Sequence, residues 1–173
     1  MEHSGLPYEM KEISLYGPNG KPDWFWDLNP RGTVPVLDCP DDGVTVADSD
    51  LILDHLVTKL SDGKNVDSPK VNDFRKTLGT LLPVGKAVVQ GNRRKHQEMV
   101  SVLETLDSMV EGPYVCGDQV TVADCAAFPF LWRLNDEYGL AELGCTRLQE
   151  WLRHCETNPV FAKTIQSSWW WWW

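Results

Sequence analysis

Hydrophobic and polar residues change their spacing twice between Lys21 and Leu56, and the rest of the chain is organised around this stretch. Its aromatic, helix-like start is broken by the sequence Asn-Pro-Arg-Gly. Two short apolar runs, residues 33–37 and 44–46, then flank a segment that is rich in proline, aspartate and glycine. Because these residue types suit tight turns, the pattern predicts a β-hairpin. Leucine and isoleucine at helical spacing from residue 49 onward predict a helix directly after the hairpin.

Pro35 lies within the first predicted strand of the hairpin. Proline has no backbone N–H, so a central strand should not contain it. Two arrangements remain open, namely an edge or bulged strand, or a cis Val34–Pro35 bond that turns the backbone of Val34 outward. In the second arrangement, the N–H and C=O groups of Val34 would pair with a peptide-like ligand in extended form.

Asp48 and Ser49 stand where the predicted helix begins. A helix N-terminus offers free N–H groups and a partial positive charge, which suit a carboxylate. The alternative is that one of the two residues simply caps the helix. Because they follow the Val-Pro pair at short spacing, we interpret both elements together as one ligand site.

The motif NPRGTVPVL, followed by a turn and then by Asp-Ser at a helix start, resembles a known family. It is similar to the second half of the glutathione-binding, thioredoxin-like domain of cytosolic glutathione transferases. The sequence KPDWF at residues 21–25 is most similar to omega transferases and dehydroascorbate reductases, and ADSD at residues 47–50 is typical of the reductases. The resemblance covers most of the chain.

The resemblance implies that glutathione is the co-substrate and that five residues bind it. Val34 would pair with the cysteinyl part of the tripeptide, while Pro35 holds the turn. Asp48 and Ser49 would bind the γ-glutamyl end, and Lys21 would bind the glycine carboxylate. Taken alone, Lys21 is equally well a solvated lysine.

The family's catalytic Ser, Tyr or Cys has no counterpart at the expected position in this sequence. The family's first strand and most of its first helix, on the order of 15–20 residues, would precede Met1. We therefore expect a thioredoxin-like domain that is incomplete at its N-terminus, either because the sequence is part of a longer chain or because it is a degenerate variant of the family. Two functions stay open: glutathione-dependent transfer or thiol reduction of the dehydroascorbate reductase type, with the preceding segment restored, or a catalytically silent scaffold or accessory subunit in a larger complex.

The second half of the chain predicts an all-helical domain, as in the family. Apolar residues recur at helical spacing from Val71 onward, and Pro83 with Gly85 is expected to interrupt or kink the first long helix. Thr121 and Asp124 form a capping box before a helix that is apolar nearly all round. A loosely alternating run at residues 8–15 predicts a strand. The predicted parts are residues 1–60, a linker at 61–68, the helical domain at 69–166 and a Ser/Trp tail at 167–173.

The composition of the chain narrows the range of partners and sites that we expect. A formal net charge of -9 argues against nucleic acid, since phosphate binding needs clustered cations. No apolar run reaches the roughly 18–20 residues that a membrane-spanning helix needs, and no signal peptide is visible. The 5 cysteines lack CxxC spacing and the 4 histidines do not cluster, which predicts no metal site, and free thiols in a reducing compartment such as the cytoplasm or an organelle stroma.

Five consecutive tryptophans, Trp169 to Trp173, follow no pattern of the family. They are interpreted either as an unstructured terminus or as an anchor, because tryptophan favours membrane interfaces and protein pockets. Together with the family resemblance, the tail makes a homodimer or a larger protein assembly a possible state of this protein.

Overall fold

The structure is a computed structural model that describes residues 1–15, 20–60 and 68–165. The chain divides into two compact units, residues 1–64 and 65–173. The predicted linker, apart from its last residue, and the predicted Trp tail lie outside the described residues.

The first unit holds a two-stranded antiparallel hairpin between two helices. Val36 pairs with Ala47 and Cys39 with Val44, and the turn between the strands ends at Gly43, whose φ of 64° lies in the left-handed region. In chain order its elements are α1 (Asp23–Leu28), β1 (Val36–Cys39), β2 (Val44–Ala47) and α2 (Ser49–Leu60). The predicted hairpin and the helix after it are confirmed.

Two predictions for this unit were wrong. The residues described between 8 and 15 form no strand. The apolar residues of the alternating pattern include Tyr8 and Met10, whose side chains are exposed. Because these side chains do not pack on a core, a strand conformation would gain no burial energy here. Pro35 also lies before β1, not within it, so its missing N–H removes no bond between the two strands.

The second unit is helical. Its core is built by large side chains of its helices, and the fully buried ones include Phe74, Leu81, Met99, Leu131 and Trp151. In chain order its elements are α3 (Pro69–Val89), α4 (His96–Met109), α5 (Val122–Tyr138), α6 (Thr146–Thr157) and α7 (Pro159–Ala162).

Helix α3 runs through Pro83 and Gly85 without a break, so the expected interruption is absent. Pro83 is exposed, while Val84 and Val88 are buried in the core. Packing of this buried face stabilises the helix on both sides of the proline and offsets the one lost backbone hydrogen bond.

Asp124 organises the start of α5 from a fully buried position. Its carboxylate accepts hydrogen bonds from the backbone N–H and the hydroxyl of Thr121, each at 2.8 Å. The first of these is one half of the predicted capping box; in the other half, the Thr121 hydroxyl accepts from the backbone N–H of Asp124. The carboxylate also accepts from the N–H of Val115 at 2.8 Å and from the indole Nε1 of Trp151 at 2.9 Å. These four donors compensate the burial of the carboxylate and connect three segments of the helical unit.

Candidate functional site

Pro35 and Asp48 meet at the open end of the hairpin. The Val34–Pro35 peptide bond is cis, so the second of the two predicted arrangements is the one found. Beyond the last strand pair, Val36 with Ala47, the backbone N–H of Asp48 donates to the carbonyl oxygen of Pro35 at 3.3 Å. This bond places the Val-Pro turn directly beside the first residue of α2.

The backbone of Val34 is available to a ligand. Within the described residues, neither its N–H nor its C=O forms a hydrogen bond, and the residue is 45% exposed. Backbone polar groups left unpaired need either water or a partner. Val34 therefore offers one donor and one acceptor, which are the groups that an extended peptide would pair with.

Asp48 caps α2 and does so with an uncommon backbone conformation. Its φ is 98°, a region that favours glycine, and its Oδ1 accepts from the N–H of Asp50 at 2.9 Å. Its carbonyl accepts from Ile52 at 3.0 Å, which starts the helix. Each such conformation costs of order 1–3 kcal/mol, and such conformations cluster at active sites, ligand sites and switch regions. Asp48 thus has the capping role that the sequence left open. The cap uses only Oδ1 of its carboxylate.

Ser49, the first residue of α2, is exposed. Its hydroxyl and its backbone N–H form no hydrogen bond within the part of the chain that the structure describes. Both donors are thus free for an anionic group near the positive end of the helix.

Asn29 shapes the loop that leads to Val34, and sequence reasoning missed it. The side chain is buried, and its Nδ2 donates to the carbonyl and the hydroxyl of Thr33 at 2.8 and 3.1 Å. Its Oδ1 accepts from the N–H of Arg31 at 3.2 Å. The Asn-Pro-Arg-Gly sequence signalled a break, but only burial shows that the amide holds the loop together.

Lys21 lies next to the aromatic helix α1. Its ammonium is 5.4 Å from the ring centroid of Trp26, and the Trp26 ring packs on Gly32. No hydrogen bond or ion pair joins Lys21 to the other four predicted binding residues within the described ranges. The structure thus brings Val34, Pro35, Asp48 and Ser49 together directly, whereas Lys21 is linked to the same loop through Trp26.

The thiols of the helical unit are poor nucleophiles at neutral pH. Burial raises the pKa of Cys125 and of Cys145 to about 11, and the nearby carboxylates of Asp124 and Asp107 act in the same direction. Burial also raises the pKa of Cys155 and of Cys116. Because the thiolate is the reactive form, a raised pKa disfavours these four side chains as nucleophiles at neutral pH. The described residues contain no cluster of side chains able to hold a metal ion.

Two family models match the chain. The model of the glutathione S-transferase N-terminal domain matches residues 1–59, and that of the C-terminal domain matches residues 90–154. The chain belongs to the glutathione transferase superfamily. Its thioredoxin-like first unit and helical second unit are those of the superfamily, so the predicted family and fold class are confirmed.

Curated relatives place this superfamily member close to the DHAR proteins. It is 31% identical over 146 residues to "Probable glutathione S-transferase DHAR4" of Arabidopsis thaliana, covering 80% of this chain and 65% of that protein. It is 27% identical over 137 residues to "Probable glutathione S-transferase DHAR1, cytosolic" of Oryza sativa subsp. japonica, covering 78% and 62%. The chain spans 50–65% of the length of the DHAR proteins that it matches here.

Solved structures agree on the fold. A glutathione transferase family member from Pseudomonas fluorescens, described with two glutathione bound, superposes with a TM-score of 0.77 at 23% identity, covering 94% of this chain and 83% of that one. A homologue from Lodderomyces elongisporus, described with two GSH per subunit, gives 0.75 at 22% identity, covering 94% and 88%. In the described ranges, no helix is long and apolar enough to cross a membrane.

Proposed function

We propose that this protein binds glutathione at the junction of the Val-Pro turn and helix α2. The observation that carries the proposal is the hydrogen bond from the Asp48 N–H to the Pro35 carbonyl, which places a free backbone donor and acceptor at Val34 beside a helix N-terminus with free donors. Solved relatives described with bound glutathione support the choice of ligand.

Each part of the tripeptide has a chemical match in this arrangement. The N–H and C=O of Val34 pair with the backbone of the cysteinyl residue. The hydroxyl and N–H of Ser49 donate to the α-carboxylate of the γ-glutamyl residue, while the second oxygen of Asp48 accepts from its α-ammonium group. Lys21 carries the positive charge for the glycine carboxylate.

The ligand itself provides a control, because γ-linked and α-linked Glu-Cys-Gly differ only in which carboxyl group forms the first peptide bond. Titration calorimetry of the full chain should show binding of glutathione and much weaker binding of the α-linked isomer. Equal binding of the two peptides, or no binding of glutathione, would refute the proposed site.

For the activity, we propose glutathione-dependent transfer or thiol reduction of the dehydroascorbate reductase type, in a chain to which the family's first strand and helix are restored. In such a reduction two glutathione thiols are oxidised to one disulfide, and their two electrons and two protons convert dehydroascorbate to ascorbate. The names of the DHAR relatives favour this reaction class. Ascorbate formation above the rate with glutathione alone is the expected result.

The second candidate is a catalytically silent, glutathione-binding subunit. The raised pKa of the four thiols in the helical unit favours it, because a raised pKa lowers the fraction of reactive thiolate at neutral pH. Glutathione binding without ascorbate formation would support this candidate, and light scattering would then test the proposed homodimer or larger assembly.

The thiols and the relatives support a proposal for the cellular setting. The 5 cysteines are all free, as expected for a reducing compartment. Relatives named cytosolic and chloroplastic occur, and we propose the cytoplasm or an organelle stroma for this protein.

The domain limits proposed are residues 1–60 and 69–166.

A further inference from the structure

The indole ring of Trp26 packs on the loop that carries the proposed site. A Cβ atom built on Gly32 would lie 2.5 and 2.6 Å from two carbons of the ring, far inside contact distance. Gly32 also has a φ of 66°, a conformation suited to glycine. The ring therefore lies directly on the backbone of the loop, two residues before Val34.

The same ring supports a lysine ammonium. The Nζ of Lys21 lies 5.4 Å from the ring centroid, within the range of a cation–π contact. Within the described residues, Lys21 forms no ion pair with a carboxylate. Its charge is thus held near the loop by an aromatic face and remains available to an anion.

Trp26 itself is 44% exposed, although tryptophan usually buries most of its large apolar surface. The neighbouring Trp24 is similarly exposed at 47% and has its own lysine, Lys11, at 5.9 Å from the ring centroid. Among the glycines whose surroundings are described, only Gly32 faces an indole ring, and that ring belongs to Trp26. Trp24 is therefore the matched control, since it has a lysine of its own but lies against none of these glycines.

We propose that Trp26 is a positioning residue that holds the Lys21 ammonium for the glycine carboxylate of glutathione. The proposal rests on the proposed function and refines it. Trp26 acts through Lys21, so it sets how strongly the site prefers a ligand with a charged C-terminal carboxylate.

The test compares glutathione with its monoethyl ester on the glycine carboxyl group, by titration calorimetry of the full chain. The ratio of the two dissociation constants reports the contribution of that one charge. A substitution that weakens the binding of both ligands by the same factor leaves this ratio unchanged. Wild type should bind glutathione more tightly than the ester. Lys21→Met should bring the ratio close to one.

Trp26→Leu keeps an apolar side chain on Gly32 but removes the aromatic face. It should lower the preference for glutathione over the ester by roughly two- to fivefold, the range that a cation–π contact at an exposed site provides. Trp26→Phe, with a weaker aromatic face, should retain part of the preference. The matched control Trp24→Leu should leave the preference at the wild-type value.

The outcomes separate this proposal from the proposed function. If Trp26→Leu weakens both ligands by the same factor, or leaves the ratio unchanged while Lys21→Met abolishes it, the positioning role is refuted and glutathione binding stands. An unchanged ratio in Lys21→Met refutes it as well. If the wild-type chain binds neither ligand, the proposed function fails and this proposal fails with it.

Discussion

The backbone N–H of Asp48 donates a hydrogen bond to the carbonyl oxygen of Pro35, across 3.3 Å. Pro35 lies just before Val36 and Asp48 just after Ala47, and Val36 and Ala47 are the last paired residues of the hairpin. The bond therefore adds one more residue pair to the hairpin, at the proposed site. It joins the Val-Pro turn to the start of α2, where Ser49 stands. The following predictions test this arrangement and the packing that supports the rest of the fold.

Ser49→Ala should weaken glutathione binding about tenfold or more, because hydrogen bonds to charged groups contribute about 1.5–3 kcal/mol. The free energy of unfolding should stay within about 0.5 kcal/mol of wild type, since the hydroxyl has no partner among the described residues. Calorimetry and urea unfolding measure the two quantities. Thr58→Ala is the matched control, because this hydroxyl lies on the same helix and donates to the carbonyl of Asp54; equal effects of the two substitutions would contradict the site.

Asp48 combines a capping role and a proposed charge role, and two substitutions separate them. Asn caps a helix as well as Asp and tolerates a positive φ, so Asp48→Asn should preserve stability but weaken glutathione binding by removing the partner of the α-ammonium group. Asp48→Ala removes the cap and is strained at a φ of 98°, so it should destabilise the chain by about 1–2 kcal/mol. Undiminished binding by Asp48→Asn would argue that the carboxylate only caps.

Asp124→Ala should destabilise the helical unit by about 3–5 kcal/mol. The substitution leaves the N–H groups of Val115, Thr121 and Trp151 without their buried acceptor. Urea unfolding followed by circular dichroism measures the loss. Asp136→Ala removes an exposed carboxylate from the same helix and should change the free energy of unfolding by less than about 0.5 kcal/mol. A similar loss in both variants would contradict the buried network.

Two glycines of α3 should respond in opposite directions to alanine. Gly79→Ala meets open space and should stabilise the chain by about 0.5–1 kcal/mol through helix propensity. Gly85→Ala would place its Cβ 2.8 Å from the ring of Phe130 on α5 and should destabilise by about 1–3 kcal/mol, despite the same gain in propensity. Thermal unfolding of the pair checks the prediction, and equal stabilisation by both would show that α3 and α5 do not pack this closely.

The buried thiols predict a loss of stability in alkali. The ordinary pKa of the thiol is 9.0, whereas Cys125 and Cys145 are raised to about 11 in the folded chain. Between pH 9 and 11 the unfolded chain therefore releases thiol protons that the folded chain retains, so the free energy of unfolding falls as pH rises through this window. Urea unfolding at pH 7.5, 9 and 10 measures the slope. Cys125→Ala should reduce that slope; an unchanged slope would mean that this thiol does not contribute.

The local elements and the family were predictable from the sequence. A turn rich in Pro, Asp and Gly between two apolar runs specifies the hairpin, and the spacing of Thr121 and Asp124 specifies the start of α5. These signals act over a few neighbouring residues, where backbone preference decides the conformation. The strand predicted from the alternation at residues 8–15 was wrong, because a strand needs a partner strand and a buried face in addition to a local pattern.

Contacts between residues far apart in the chain were decided by the tertiary structure alone. The amide of Asn29 holds the loop before Val34, the ring of Trp26 lies on Gly32, and Asp124 accepts from Trp151, which is 27 residues away. The local sequence does not specify these pairs, since they depend on how close-packed side chains fill the space between elements. The sequence by itself determined which segments form the candidate site, and packing determined which donors there stay free for a ligand.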